Sequence, residues 1–182
     1  MKKNKVVGSI PIVAAAIVMS SISLNARSQQ ANNLSDAQVA SVAVTANQID
    51  IDYAQIALNK SKNDEILNFA RTMSNDHKAV IDQAVALVTK LKVNPQTNDL
   101  TKKLLADAEK TKKDLAAKKG EEFDKAYINN EVAYHKAVIS AVETVLIPDT
   151  ENAEVKALLQ NVLPALKTHL SHAEMVQKMI VK

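Results

Sequence analysis

Residues 64–92, DEILNFARTMSNDHKAVIDQAVALVTKLK, place Ile66, Ala70, Met73, Ile81, Ala84, Val88 and Leu91 three or four positions apart. That spacing puts them on one face of a long helix. Asn63 stands ready to cap it, and Asp64 and Glu65 suit the positive end of its dipole. His77 falls in the middle of the apolar face, where a polar group costs free energy unless something pairs with it.

The same pattern recurs outward from this stretch. Residues 121–146 align Ile128, Val132, His135, Ile139, Val142 and Leu146, and a stop is expected before Pro148. From Asn152 to the C-terminus, Val155, Leu158, Val162, Leu166, His169, Ala173, Val176 and Ile180 align, with a bend expected at Pro164. Residues 35–60 align Val39, Val42, Ala46, Ile49, Tyr53 and Ala57, with Asp50 towards one side. Ser35 and Gln38 form a capping box at the start of this helix. Ser61-Lys62-Asn63 is a tight turn, whereas Val93 to Asn98 breaks the second helix. A lysine-rich segment, 99–118, carries the narrow stripe Leu100, Leu104, Ala108 and Leu115, and Gly120 is expected to end it.

Two short turns and one long connection predict an all-α, ferritin-like four-helix bundle. An additional helix lies in the long connection between the second and third bundle helices. A five-helix up-and-down array with the same core is the alternative.

The ends and totals bound the rest. Lys2, Lys3 and Lys5 precede an apolar run from Val6 to Leu24, and Leu24-Asn25-Ala26 is an acceptable cleavage site. Residues 1–26 therefore read as a signal peptide, 27–34 as a flexible leader and 35–182 as the bundle domain. An uncleaved anchor is the competing reading, weakened by Gly8, Pro11 and the serines after Met19. The formal charge of +3 resides in those three lysines, so the rest of the chain is neutral overall. With 3% aromatic residues and no basic patch, nucleic-acid binding is rejected. No cysteine is present, which excludes lipid attachment at one. The expected location is the bacterial periplasm or outside the cell, with no stable membrane insertion once the signal is removed; an oligomer remains open.

The histidines bear on function. With a rise of about 1.5 Å per residue, His77, His135, His169, Asp50 and Glu131 fall within a slab about 9 Å thick near mid-height of the bundle. Inward histidines and carboxylates at mid-height are how ferritin-like bundles hold metal, and this set suits iron, manganese or zinc. Against that, Glu131 and His135 stand at i, i+4, whereas the di-iron bundles use Glu-x-x-His, and no such motif occurs on the first two helices. A neutral histidine paired to a carbonyl satisfies itself without metal. His172, near the edge of the stripe, is expected to be exposed.

Three stretches carry a resemblance: FARTMSNDH at 69–77, FDKAY at 123–127 followed by His135, and LPALKTHL at 163–170. Together they resemble the exported bacterial family called domain of unknown function 4142, classed as ferritin-like, over about 35–180. The resemblance implies a helical bundle outside the cytoplasm and no agreed activity. The family's acidic position in the first helix corresponds to Asp50, a shorter side chain than the usual Glu.

Two functional readings follow. The first is a non-enzymatic envelope protein of unknown activity whose buried polar residues fix the packing. The alternative is a metal-binding or metal-dependent redox or storage protein using His77, Glu131, His135, His169 and Asp50.

Overall fold

Ser35 opens the first helix with a reciprocal cap. Its hydroxyl accepts from the Gln38 N–H, and the Gln38 side chain accepts from the Ser35 N–H. The helix, α1, spans Asp36–Lys60 in the computed structural model, which describes residues 33–180. The signal peptide expected over 1–26 and the leader up to residue 32 lie outside the described residues. Asn63 caps α2, Asp64–Leu91, by accepting from the Glu65 and Ile66 N–H groups.

The long connection is pinned to the start of α1. Gln96 N–H donates to the Ala37 carbonyl, and the Asn98 amide donates to that of Gln38. Asn98 then caps α3, Asp99–Ala117. Of the expected stripe, Ala108 and Leu115 are buried, while Leu100 and Leu104 are half-buried. Thr101 takes the inner position instead, its hydroxyl 3.4 Å from that of Ser41. Lys103 with Asp107, and Lys112 with Asp52 and Glu109, pair across the outer surface.

Two expected helix ends are corrected. Gly120 does not end α3, which stops at Ala117; with φ +53 it starts α4, Gly120–Ala141. The left-handed residue serves the change of direction between the two helices rather than a C-cap. Nor does helix stop before Pro148. The chain passes through a π-helical turn, Val142–Leu146, into a short α5, Ile147–Asp149, with Pro148 in its first turn. There the missing proline N–H costs little. Thr150 closes this run by bonding back to the Leu146 carbonyl.

The last helix, α6, spans Ala153–Ile180 with Pro164 inside it. The Asp36 carboxylate accepts from the Glu151 and Asn152 N–H groups and ties its start to that of α1. Its buried face runs through Val155, Leu159, Leu166, His169, Ala173 and Val176. Leu159 replaces the expected Leu158, which is half-buried, as is Val162.

Helix α1 packs on α2, α4 packs on α6, and contacts of α1 with α4 and of α2 with α6 close a four-helix ring. Helix α3 lies against α1 and α4, as expected of an extra helix in the long connection. Among the described residues there is no strand and no helix long and apolar enough to cross a membrane.

The core has two unlike halves. One, around the α1–α2 turn, gathers Tyr53, Phe69, Phe123, Tyr127, Ile66 and Met73. Each fully buried Phe stabilises this half by about 1.5–3 kcal/mol. Ser61 adds a buried hydrogen bond of 2.6 Å to Asp124 there. The other half is aliphatic: Val39, Val42, Ile139, Val142, Leu146, Leu159 and Leu166. The antiparallel helices place His77, His135, His169 and Asp50 between the two.

Candidate metal centre

Four helices each deliver one residue of the polar layer. Asp50 comes from α1, His77 from α2, His135 from α4 and His169 from α6. All are buried, Asp50 completely. The imidazole centroids form a near-equilateral triangle: 5.7 Å from His77 to His135, 5.2 Å from His77 to His169 and 5.7 Å from His135 to His169.

Each ring is held from outside by one nitrogen. His77 Nδ1 lies 2.7 Å from Asn47 Oδ1, and the Asn47 amide in turn donates to the Ala43 carbonyl. That second bond orients the Asn47 oxygen towards the ring, so His77 Nδ1 carries the proton. His135 Nδ1 donates to the Glu131 carbonyl at 3.0 Å. His169 Nε2 donates to the Asp76 carboxylate at 2.9 Å. The opposite nitrogens, His77 Nε2, His135 Nε2 and His169 Nδ1, are buried without a hydrogen-bond partner. One nitrogen from each of the three rings lies within 4.8 Å of the others. Imidazoles tied outward by their N–H and bare on the inside are the arrangement that metal ligands adopt.

Asp50 completes the layer. Its Oδ2 lies 3.4 Å from His77 Nε2 and 3.6 Å from His135 Nε2. Those separations are close to the edge of about 3.3 Å that a tetrahedron of zinc-type bonds produces. Glu131 forms a second group with Asp50 and His135, its Oε2 3.7 Å from His135 Nδ1. All four carboxylate oxygens of Asp50 and Glu131 are buried and unpartnered, as is the hydroxyl of the adjoining Tyr127.

Electrostatics follow from burial. Desolvation pushes the Asp50 carboxyl up to about 8. It also raises Glu131 well above the carboxylate range, with the neighbouring Asp50 charge adding to the effect. Desolvation lowers His77 to about 3 and His135 to about 4, with the neighbouring imidazoles contributing. At neutral pH burial therefore favours the neutral forms of His77 and His135 and the protonated forms of Asp50 and Glu131.

The five site residues read from the sequence fall into two groups that share His135: His77, His135 and His169 in one, Asp50, Glu131 and His135 in the other. The outer partners Asn47 and Asp76 escaped that reading because neither lies on an apolar stripe. His172 does not face solvent as expected; it is half-buried, its ring 5.1 Å from that of Phe69.

A cavity of about 530 Å³ adjoins the layer. Its walls include Val42, Ala84, Val142, Leu159 and Leu166, and Asp50, His77, His135 and His169 line it as well.

The chain belongs to the DUF4142 family, described as a domain of unknown function, whose match covers residues 22–176. No curated protein matches it. Among solved structures it is similar in fold to CopM in the Cu(II)-bound form. The TM-score is 0.61 at 17% sequence identity, over 80% of this chain and 97% of that one.

Proposed function

We propose that this chain is an exported metal-binding protein that holds one divalent transition-metal ion at mid-height of the bundle. His77 Nε2, His135 Nε2, His169 Nδ1 and Asp50 would be the ligands. A single observation carries the reading: three buried imidazoles, one nitrogen of each within 4.8 Å of the others, each spend one nitrogen on an outer acceptor and leave the other without a partner. A packing network, the first reading from sequence, accounts for the outer bonds. It leaves three ring nitrogens and the carboxyl groups of Asp50 and Glu131 without a protein partner, at a cost of about 1–3 kcal/mol for each group. A cation would engage the three ring nitrogens and Asp50 together, with Glu131 beside them.

The ligand set narrows the choice of metal. Iron, manganese and zinc followed from mixed histidine and carboxylate ligands. Three imidazole nitrogens favour the later metals, with copper(II) and zinc ahead of manganese in intrinsic affinity. The Cu(II) form of the similarly folded CopM supports adding copper. Glu131, next to the ligands, would balance charge: with Asp50 it offers two negative charges to a divalent ion. Export rests on the lysine-led apolar run at 2–24.

Elemental analysis of tag-free protein purified without added metal, followed by titration with copper(II) and zinc, tests the reading. A stoichiometry near one per chain, lost in His135→Ala, supports it. A chain that takes up neither metal below the millimolar range returns the centre to a packing role.

A further inference from the structure

Four large apolar side chains stand exposed among the described residues: Val85, Leu105, Met175 and Met179. Val85 on α2 and Leu105 on α3 are single, which is ordinary for a protein surface. Met175 and Met179 are not. They lie four positions apart on α6, 53% and 42% exposed, with His172 three positions before Met175. Residues at those spacings are neighbours on a helix surface.

Helix geometry brings the three heads together. At about 100° per residue, positions 172, 175 and 179 fall within an arc of about 60° and span about 10 Å along the axis. Long side chains on a helix lean towards its N-terminus, over the preceding turn. Met179 therefore leans over Met175, and Met175 over His172. Three rotatable bonds let each thioether adjust to a shared ligand. The half-buried His172 ring is set edge-to-face against Phe69, and no hydrogen bond ties it to another described residue.

The surroundings select the ion. Glu174, the one carboxylate between 168 and 180, pairs with Lys136 of α4 at 2.8 Å, and the Gln177 amide donates to Asn129 of the same helix. The Thr168 and Ser171 hydroxyls bond back to carbonyls of α6 itself. What this face leaves free is one imidazole and two thioethers. Thioethers are soft ligands that select copper(I) over harder ions. No unpaired carboxylate of this stretch balances a second positive charge, and the exposed Lys178 beside the row opposes one. We propose that His172, Met175 and Met179 form a surface site for one soft monovalent cation, copper(I). The site shares no residue with the core centre and does not rest on the metal reading of that centre.

Titration of the full-length protein with silver(I), a redox-inert stand-in for copper(I), tests this, followed by the methionine methyl resonances. The expected result is a shift of the Met175 and Met179 methyls that saturates at one silver ion per chain, with the buried Met73 unmoved. Zinc should shift neither exposed methionine. Met175→Leu and Met179→Leu keep bulk and helix preference, and His172→Phe keeps a ring against Phe69. Each is expected to lower silver affinity at least tenfold with the thermal melt of the parent, which reports that the variant is folded. His135→Ala, which removes a residue of the core centre, should bind silver as the parent does. Unchanged silver affinity in the double variant Met175→Leu, Met179→Leu overturns the site, as does a parent that takes up no silver below the millimolar range. Loss of silver binding in folded His135→Ala also overturns it, because the ion then sits in the core. Failure of zinc binding in the parent alongside silver shifts at Met175 and Met179 would remove the metal reading of the core and leave this site standing.

Discussion

Asn47 Oδ1 accepts a 2.7 Å hydrogen bond from His77 Nδ1 and thereby decides which nitrogen of that ring faces Asp50. Asn47 lies one turn before Asp50 on α1, so a single helix supplies both an inner carboxylate and the outer acceptor of the neighbouring ring. Replacing Asn47 with Ala is expected to free the His77 tautomer. Metal affinity should fall by about 10–100-fold, with a stability loss of about 1–2 kcal/mol in the metal-free protein. Metal titration and denaturant unfolding read the two effects separately. An affinity change below threefold would show that His77 is oriented by its packing alone.

His135 is 1% exposed and lies within 3.7 Å of both carboxyl groups of the centre, Asp50 and Glu131. Truncation to Ala removes a hydrogen bond and opens a void, which costs about 1–3 kcal/mol without metal. In the parent, metal at a hundredfold excess over Kd should add about 2.7 kcal/mol of stability by mass action. Thermal melts with chelator and with copper(II) or zinc are expected to show that gain in the parent and not in His135→Ala. Equal metal shifts in both proteins would exclude His135 as a ligand.

The pH dependence of the metal-free protein has a definite sign. Asp50 and Glu131 have folded pKa values raised above their unfolded ones, so the stability they contribute is full at low pH and is lost as pH rises, for Asp50 through about 8. His77 and His135, lowered to about 3 and 4, act oppositely between there and their unfolded value near 6.5. The two pairs offset each other between about pH 4.5 and 6.5. Above that the carboxyls act alone, and stability should fall by up to about 1.4 kcal/mol per pH unit for each group. Urea unfolding at pH 5, 6, 7 and 8 checks this; stability rising from pH 6.5 to 8 would contradict it. Metal affinity should rise over the same interval, because binding expels the carboxyl protons.

Ser61 donates to Asp124 in the turn between α1 and α2. Changing Ser61 to Ala leaves a buried carboxylate oxygen without its donor, at an expected cost of about 1–3 kcal/mol. Metal binding should be unaffected, which separates this residue from those of the centre. A variant as stable as the parent in denaturant would mean that water replaces the hydroxyl.

The bundle was legible because four apolar stripes at helical spacing leave few alternatives, and short turns impose antiparallel neighbours. His77, His135 and His169 were legible because each interrupts such a stripe. Asn47 and Asp76 were not, since an outer acceptor needs only to reach a ring and leaves no periodic mark. Pro148 misled for a related reason: a proline ends a helix only where a backbone donor is required, and the π-helical turn before it changes which donors are. His172 was misplaced because a position at the edge of a stripe can rotate either way, and here Phe69 offers it a surface.

The unequal halves of the core bear on how the molecule comes apart. Free energy of local opening follows the packing that must be broken, and segments with sparse contacts open without global unfolding. The aromatic half should behave as a cooperative unit that survives to the global transition. The aliphatic half, flanking the cavity, should open first, releasing the later part of α2 and the earlier part of α6 together. In native-state hydrogen exchange, amides over 80–91 and 155–166 would then exchange through a cheaper opening than those over 66–76 and 169–176. The polar layer marks the boundary between these units, so a cation bound there would staple them and bring the two rates together.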